Sequence, residues 1–240
     1  MTTNPSVLLA CPTSDHKKYC QDDWLENVKK INYPNLQILI VDNSKSEDNA
    51  KYIRSKGIEC IWDKQSNPKQ DIRYTILSST KKIESEVKKR KVDYWFSYES
   101  DIFAMPDVIQ RLLEHNRRVI SFPYFVWIDN EQYLLHFGFE NVNGIYISHM
   151  PSFEESISWI DGTVKQSYQT GLGCHLIHKS VFDYLHIRYN ANEFKIGFPD
   201  SFFHFDCLNK GIPVFVDTSD IVHHINNSDR WKLIDKTILH

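Results

Sequence analysis

Two carboxylates at alternate positions follow the most apolar strand that the sequence predicts. The segment "VDYWFSYESD" begins with a run of aromatic residues and then places Glu99 and Asp101 two residues apart. Successive side chains of a strand point to opposite faces, so residues two apart point to the same face. Like charges on one face repel each other, and a positive charge relieves the repulsion. The spacing therefore predicts that a positively charged partner lies between Glu99 and Asp101.

The composition is that of an ordinary globular protein. The 240 residues are 41% hydrophobic and 25% charged, and the net charge of −3 provides no basic field for nucleic acid or anionic lipid. Five scattered cysteines without a CxxC pair predict neither a zinc cage nor a disulfide framework and indicate a reducing compartment. No signal-peptide pattern opens the sequence, and no apolar run approaches the ~20 residues that span a bilayer. We therefore expect a cytoplasmic protein.

Strand-like and helix-like patterns alternate along the chain, and they must position these carboxylates. The predicted strands are "SVLLAC", "LQILIVDNS", "IECIW", "VDYWFSY", "RVISFPYFVWI", "HLIHKSVFDYL" and "IPVFVD". The predicted helices lie at 16–31, 47–57, 73–91, 106–116 and 201–211. This order implies an α/β fold with a mostly parallel, Rossmann-like sheet and helices on both faces. Residues 129–169 are irregular and hairpin-like. One domain over 1–240 with an insertion is the simplest account.

Three polar clusters follow predicted strands: "CPTSD" at 11–15, "VDNSKSED" at 41–48, and "ESD" at 99–101. In open parallel sheets, ligands bind beyond the carboxyl ends of the strands. Any one cluster is ordinary, because the loops that follow strands are polar. Together the three clusters define a rim, and such a rim is a candidate binding site.

The order of these segments resembles the family 2-like glycosyltransferases of GT-A fold, from about Val7 to His224. The resemblance rests on five segments in this order along the chain: "PTSD", "VDNS", "WFSYESD", "GLGCHLIHKSVF" and "PDSFFHFDCLNKGIPVFVD". The resemblance implies a GT-A-type fold in which 1–128 bind nucleotide and metal. It implies that 129–240 carry the acceptor side, including the irregular insertion, and the catalytic base. The implied reaction is a metal-dependent, inverting transfer of a sugar from a nucleotide-sugar, with UDP favoured, to a hydroxyl.

In that family, a DxD motif at a strand end holds Mn²⁺ or Mg²⁺ on the donor diphosphate. Glu99-Ser100-Asp101 resembles this motif, with glutamate in its first position. The resemblance implies that Asp101 binds the metal, and that Glu99 binds it through water or orients the donor ribose. Carboxylate oxygens are the hard ligands that these ions prefer. An exposed charged turn is the alternative interpretation.

The resemblance also implies a third metal ligand after the last strand, at His223 or His224. Neighbouring residues of a strand face opposite ways, so only one of the two can reach the ion, and we prefer His224.

Further residues are implied as donor contacts. Pro12 and Thr13 match the loop beneath the base, and Asp42, followed by Ser44, matches the position that bonds the uracil or the ribose. Arg73 lies where relatives place a basic residue that contacts base or phosphate. Asp42 could equally belong to a plain helix cap, and we expect Ser44 or Ser46 to cap the helix in either case.

A glycine pair and a later carboxylate complete the resemblance. Gly171 and Gly173 match a loop under the donor sugar, and glycine permits positive φ and close backbone approach. Asp200 matches the second acid of the family's "ED" pair, whose first acid is replaced here by Pro199. The resemblance implies that Asp200 is the base that deprotonates the acceptor hydroxyl. A plain helix cap is the alternative role for Asp200, and Asp206 is the rival base.

The acceptor is expected to be a glycan, a lipid-linked sugar or, less favoured, a modified nucleic acid. Its wall is expected among the aromatic residues of 129–169, which are Tyr133, Phe137, Phe139, Tyr146, Phe153 and Trp159. A nucleotidyltransferase of similar fold is one alternative, although "CPTSDHKK" lacks the glycines of such a phosphate loop. A non-catalytic nucleotide-binding protein is the other, and it would be favoured if Asp200 pointed away from the cleft.

Overall fold

The computed structural model describes residues 4–64, 71–128, 131–134, 136–142, 145–149, 151–193, 197–225 and 227–233. For 128, 131, 136–142, 145–149, 230, 231 and 233 it describes only the backbone. The strands are β1 Val7–Thr13, β2 Leu36–Asp42, β3 Glu59–Trp62, β4 Tyr94–Tyr98, β5 Ile102–Phe103, β6 Val119–Ser121, β7 Phe125–Ile128, β8 Glu131–Leu134, β9 His136–Val142, β10 Ile145–His149, β11 Val164–Ser167, β12 Gln169–Thr170, β13 Cys174–His178, β14 Val214–Asp217 and β15 His223–His224. The α-helices are α1 Gln21–Lys30, α2 Asp48–Ser55, α3 Ile72–Arg90, α4 Val108–Glu114, α5 Phe153–Trp159, α6 Pro199–Asn209 and α7 Ser228–Leu233. Short 3₁₀ turns cover Asp15–Lys17 and Lys179–Asp183.

The central sheet has eight strands in the order β11-β14-β6-β13-β4-β1-β2-β3. Strands β3, β2, β1 and β4 are parallel neighbours, and β6 is parallel to β14. Strand β13 lies antiparallel between β4 and β6, and β11 is antiparallel to β14 at the edge. The predicted α/β fold with a mostly parallel sheet is therefore confirmed. The reversal at β13 was not predicted, because its apolar run carries no signal of direction.

Hydrophobic clusters cover both faces of the sheet. In β1, Val7 and Leu9 belong to one buried cluster, whereas Leu8 and Ala10 belong to the other. The first cluster includes residues of α1, α2 and α4, and the second includes residues of α3 and α6. A strand buried on both faces needs apolar residues at every position, which explains the continuous apolar run of β1.

Strand β1 does not end before Pro12, as the sequence predicted, but continues to Thr13. The carbonyl of Thr13 accepts a hydrogen bond from Asn43 on the β2 side, so Pro12 faces the β4 side. Pairing of β1 with β4 stops at Ala10. The missing N–H of Pro12 therefore costs no hydrogen bond in the sheet.

The start of the first helix and the cap of α2 differ from their predictions. The helix predicted over 16–31 is divided into the turn Asp15–Lys17 and helix α1, which begins at Gln21. The predicted cap of α2 is wrong, because its N-cap residue is Glu47, without a side-chain cap. Among the described residues, no helix is long and apolar enough to cross a membrane.

Candidate active site

A cavity of about 680 Å³ opens beyond the carboxyl ends of β1 and β4 and reaches the starts of α3 and α6. Part of its wall is polar and includes Thr13, Glu99 and Asp101. Another part is apolar and includes Ile72, Ile76, Leu172 and Phe198. The predicted rim of polar strand ends thus contributes to the wall of a cavity large enough for a small ligand.

Three side chains in the wall of the cavity form a cluster with metal-binding chemistry. Ligand atoms of Glu99, Asp101 and His224 all lie within 4.8 Å of one another. Strand β15 pairs antiparallel with β5, which places His224 opposite Ile102 and therefore beside the acidic motif. His223 pairs with the next residue of β5 and is not a member of the cluster. Of the two adjacent histidines, the structure brings His224 to the carboxylates.

A buried lysine contact neutralises part of the negative charge of this cluster. The ammonium of Lys17 donates a hydrogen bond to Oδ2 of Asp101, and Nε2 of His224 lies 3.3 Å from the same oxygen. Burial favours the neutral form of Asp101, but His224 and Lys17 outweigh it and lower the pKa of Asp101. The pKa of Glu99 is raised, because the side chain is desolvated and faces the charge of Asp101. The two carboxylates therefore differ in proton affinity although they lie side by side.

The donor atoms fit a divalent cation. Two carboxylates supply hard oxygen ligands, and an imidazole nitrogen is compatible with a transition ion such as Mn²⁺. Nδ1 of His224 is buried and has no hydrogen-bond partner among the described residues. The Nε2 atom faces Asp101 and is the nitrogen available to a cation.

Asp200 lies in the wall of the same cavity, at the first turn of α6. Its Oδ1 accepts hydrogen bonds from the N–H of Ser201 at 2.7 Å and from the Ser201 hydroxyl at 3.4 Å. Burial raises the pKa of Asp200 to about 6. The N-cap residue of α6 is Phe198, so Asp200 is not a plain cap.

The rival carboxylate has a structural partner. Asp206 accepts two hydrogen bonds from the Arg188 guanidinium, at 2.6 and 2.7 Å. It does not line the cavity.

A buried network behind Asp200 was missed by the sequence analysis, which assigned these histidines no role. Nδ1 of His204 lies 2.8 Å from the Asp200 carbonyl, and its Nε2 lies 3.3 Å from the hydroxyl of Thr170. That hydroxyl is also 3.2 Å from Nδ1 of His175. A carbonyl can only accept, so the proton of His204 must be on Nδ1. Burial lowers the pKa of both imidazoles, to about 4 for His175, which keeps them neutral. No spacing pattern in the sequence predicts this network.

The glycine loop acts through close contact rather than through an unusual backbone angle. Among the described residues, neither Gly171 nor Gly173 adopts the positive φ that glycine permits. A Cβ on Gly173 would lie only 2.7 Å from the ring of Tyr124. The N–H of Gly173 donates to the Tyr124 hydroxyl at 3.1 Å, and its carbonyl accepts from the N–H of Glu99 at 2.9 Å. The loop thus joins Tyr124, another residue missed in the sequence, to the acidic motif.

Two predicted donor contacts lie in the cavity wall. Pro12 and Thr13 both line it, and the Thr13 hydroxyl donates to the hydroxyl of Ser100 at 2.9 Å. This bond ties the end of β1 to the acidic motif that follows β4.

Asp42 and Ser44 do not line the cavity, whereas the intervening Asn43 does. Asp42 is fully buried and accepts hydrogen bonds from Ser44 at 2.6 Å and from Asn49 at 2.8 Å. Its other carboxylate oxygen is buried without a partner among the described residues.

Arg73 does not line the cavity but lies beside Phe198, which does. Its guanidinium donates to the Tyr189 hydroxyl at 2.9 Å and lies 5.8 Å from the centre of the Phe198 ring.

The predicted aromatic acceptor wall is only partly described. The side chains of Phe137, Phe139 and Tyr146 lie outside the described residues. Tyr133, Phe153 and Trp159 are described, and none of the three lines the cavity. The described aromatic residues in its wall are Trp95, Tyr124 and Phe198.

No protein-family model and no curated protein matches this sequence. Solved structures do match it. TarS 1–349 of S. aureus aligns with a TM-score of 0.55 at 12% identity, and the alignment covers 91% of this chain and 60% of the TarS chain. GalNAc-T7, solved with UDP, GalNAc and Mn²⁺, aligns with a TM-score of 0.61 at 10% identity, and the alignment covers 96% of this chain and 46% of the GalNAc-T7 chain. The mannosyltransferase PcManGT of Pyrobaculum calidifontis, solved with GDP-Man and Mn²⁺, aligns with a TM-score of 0.59 at 11% identity, and the alignment covers 97% of this chain and 61% of the PcManGT chain.

The present chain thus spans between 46% and 61% of the length of these solved chains. At 10–12% identity the likeness carries the fold and does not single out family 2. In this chain the fold consists of the parallel strands β3, β2, β1 and β4, the antiparallel β13 beside β4, and an acidic motif directly after β4. The chain has the GT-A fold of nucleotide-sugar glycosyltransferases.

Proposed function

We propose that this protein is a metal-dependent, inverting glycosyltransferase that moves a sugar from a nucleotide-sugar to an acceptor hydroxyl. One observation carries the proposal. A cluster with divalent-metal chemistry, formed by Glu99, Asp101 and His224, shares a single cavity with Asp200, a carboxylate of raised pKa. A cation site and a base in one cavity are what direct displacement of a diphosphate by a hydroxyl requires.

The proposed reaction divides its chemical tasks between the acidic cluster and Asp200, which line the same cavity. Asp101, Glu99 and His224 would hold Mn²⁺ or Mg²⁺, which supplies Lewis-acid stabilisation of the departing diphosphate. The Asp200 carboxylate removes the proton of the acceptor hydroxyl as the hydroxyl oxygen attacks the anomeric carbon. The new carbon–oxygen bond forms on the face opposite the phosphate oxygen that leaves, so the configuration inverts. The proton ends on Asp200, and no covalent intermediate with the protein is needed.

The raised pKa of Asp200 supports its role as the base. A carboxylate with a pKa near 6 is still ionised at neutral pH, yet it binds a proton more tightly than an ordinary aspartate does. The hydrogen bond from the Ser201 N–H occupies Oδ1 and fixes the orientation of the carboxyl group. Because Asp200 lines the cavity, the alternative of a non-catalytic nucleotide-binding protein loses the observation that would favour it.

The donor is proposed to be a UDP-sugar, on the basis of the sequence resemblance. GalNAc-T7 was solved with UDP and PcManGT with GDP-Man, so neighbours of this fold use either nucleotide. Pro12, Thr13 and Asn43 lie in the wall where β1 and β2 end, and we assign the nucleotide to this part of the cavity. Asp42 supports that wall from behind through its bond to Ser44.

The acceptor is proposed to be a sugar hydroxyl, and residues 129–240 are proposed to supply its site together with the base. Phe198 is 45% exposed and stands directly before the turn that carries Asp200. An exposed aromatic ring beside a base offers a stacking surface for a sugar ring, which is the contact an acceptor glycan would make.

A binding screen followed by a product analysis tests the proposal. The purified protein is titrated with UDP and GDP in the presence of Mn²⁺ or EDTA, and then with a panel of nucleotide-sugars whose hydrolysis is followed. We expect metal-dependent nucleotide binding and slow hydrolysis of one donor. The matched control is Asp206→Asn, which changes a carboxylate that is held by Arg188 outside the cavity. Retention of anomeric configuration in the product, or metal-independent turnover, would contradict the proposal.

A further inference from the structure

The Lys17 ammonium occupies an unusual place for a lysine side chain. It reaches from the turn Asp15–Lys17 into the cavity wall, and it donates a hydrogen bond to Asp101, whose own side chain is only 3% exposed. The Lys17 side chain as a whole is 32% exposed and lines the cavity. No signal in the sequence analysis pointed to this residue.

We infer that Lys17 is a displaceable counterion: it pairs with Asp101 when no divalent cation is bound, and it pairs with the donor diphosphate when one is. The inference rests on the proposed function, because it concerns the same cation site. It adds a residue that belongs to none of the motifs described above, and a competition between that residue and the metal.

The first step of the argument concerns the metal-free protein. A buried carboxylate without a partner is strongly unfavourable, so Asp101 needs a positive group whenever the site holds no metal. The structure supplies that group from Lys17, with His224 3.3 Å from the same carboxylate oxygen. The site is therefore neutralised in advance and remains folded before any cation arrives.

The second step concerns the arrival of a divalent cation. Oδ2 of Asp101 would then face two positive charges, those of the metal and of the Lys17 ammonium, because an imidazole that binds a metal is neutral. Like charges a few Å apart in a poorly solvated site repel each other strongly. The Lys17 ammonium is the member that can withdraw, because it sits on a flexible four-carbon stem, whereas His224 is held in strand β15.

The third step concerns where Lys17 goes. Its side chain lines the same cavity as Thr13, Ser14 and Ser100, and the proposed function assigns the donor nucleotide to the wall that contains Thr13. A donor diphosphate brings more than one negative charge to this part of the cavity. A mobile ammonium that has left Asp101 is therefore close to an anionic partner, and lysine binds phosphate well as a point charge.

The test compares Lys17→Met with the matched control Lys18→Met, since Lys18 is the exposed neighbour that does not line the cavity. Two affinities are measured. The first is that of Mn²⁺ alone, from the free Mn²⁺ signal in electron paramagnetic resonance, and the second is that of UDP at saturating Mn²⁺, from calorimetry. We expect Lys17→Met to bind Mn²⁺ at least about fivefold more tightly and UDP at least about fivefold more weakly than the wild type. Lys18→Met should match the wild type in both measurements.

The opposite signs of the two changes distinguish a displaceable counterion from a residue with a purely structural role. If Lys17 had only a structural role, Lys17→Met would weaken both affinities and lower the melting temperature with and without Mn²⁺. If Lys17 is a displaceable counterion, Mn²⁺ should raise the melting temperature of Lys17→Met by more than it raises that of the wild type, because tighter binding stabilises the folded state more. If Lys17→Met is unstable, Lys17→Gln provides the same test with a polar side chain.

Unchanged or weaker Mn²⁺ binding by both variants would overturn the inference, as would a wild type that binds no Mn²⁺. A wild type that binds Mn²⁺ but no nucleotide would instead refute the proposed function. In that case a tighter Mn²⁺ affinity in Lys17→Met would still support the first half of the inference, and the diphosphate half would be wrong.

Discussion

Replacing Asp200 by asparagine should make the metal-free protein more stable at neutral pH and much less active. Burial raises the pKa of Asp200 from its ordinary 3.8 to about 6, so the folded state holds this proton more tightly than the unfolded state. The stability that comes from this proton is fully present below pH 3.8 and is lost as the pH rises towards 6. Above pH 6 the wild type therefore carries a destabilising charge that asparagine lacks.

The magnitude follows from the two pKa values. A rise from 3.8 to about 6 corresponds to about 3 kcal/mol, at about 1.4 kcal/mol for each tenfold change. The side chain is partly open to the cavity, and water reduces the effect, so we expect about 1–3 kcal/mol. Asparagine retains the oxygen that accepts from the Ser201 N–H, so the first turn of α6 keeps its hydrogen bond.

The assay is urea unfolding of the wild type and Asp200→Asn in EDTA, at pH 8 and at pH 4. The variant should have the higher free energy of unfolding at pH 8, and the two proteins should converge at pH 4. Asp206→Asn is the matched control and should be destabilised at pH 8, because Arg188 loses a charged partner at 2.6 Å.

Turnover supplies the second half of this prediction. With donor, acceptor and Mn²⁺ present, Asp200→Asn should lower kcat by about 10²–10⁴-fold, the usual contribution of a positioned base. The wild-type kcat/KM should rise with pH and level off above about pH 6, or lower if bound metal depresses the pKa of Asp200. The reasoning fails if the variant is less stable than the wild type at pH 8, if its advantage persists at pH 4, or if its turnover is near normal.

Three further substitutions test other parts of the site. Asp101→Ala should abolish Mn²⁺-dependent UDP binding in calorimetry while far-UV circular dichroism stays unchanged, and full affinity would contradict the metal assignment. Asp42→Ala should lower the melting temperature, because it leaves the hydroxyl of Ser44 without its buried acceptor, and it should weaken UDP binding only indirectly, through the wall at Asn43 that Asp42 supports. An unchanged melting temperature would contradict the supporting role of Asp42. Gly173→Ala should lower the free energy of unfolding by roughly 1–3 kcal/mol, because the new Cβ would lie 2.7 Å from the Tyr124 ring; an unchanged unfolding curve would show that the ring moves freely.

The parts of the site that could be predicted lie at strand ends. Parallel neighbours in a sheet bring their carboxyl ends to one edge, so "CPTSD" and "ESD" had to meet once β1 and β4 were adjacent. The 2.9 Å bond between the hydroxyls of Thr13 and Ser100 is the result. Local patterns of apolar residues were enough to identify these strands, since β1 and β4 are buried on both faces.

The parts that could not be predicted depend on partners distant in sequence. Lys17 reads as one of several surface lysines until the turn Asp15–Lys17 aims it at Asp101, 84 positions later in the chain. His175 and His204 match no motif, because their role is to bond Thr170 and the Asp200 carbonyl inside the core. The cap prediction at α2 failed for the same reason: the hydroxyl oxygen of Ser44 accepts a hydrogen bond from the N–H of Asp15, 29 positions earlier in the chain, and not from an N–H of the helix.

Tyr124 shows how the cluster is held together by a residue that belongs to no motif. Its hydroxyl accepts from the N–H of Gly173 at 3.1 Å, and the carbonyl of Gly173 accepts from Glu99 at 2.9 Å. Its ring also packs edge-on against His224, with ring centres 5.2 Å apart. Burial raises the pKa of the Tyr124 hydroxyl well above its usual range, so a neutral group stands beside the carboxylates. The tripeptide at 99–101 therefore predicts two ligands, Glu99 and Asp101. Tyr124 holds the backbone of Glu99 through Gly173 and contacts the ring of the third ligand, His224, and only the folded chain brings the three ligands together.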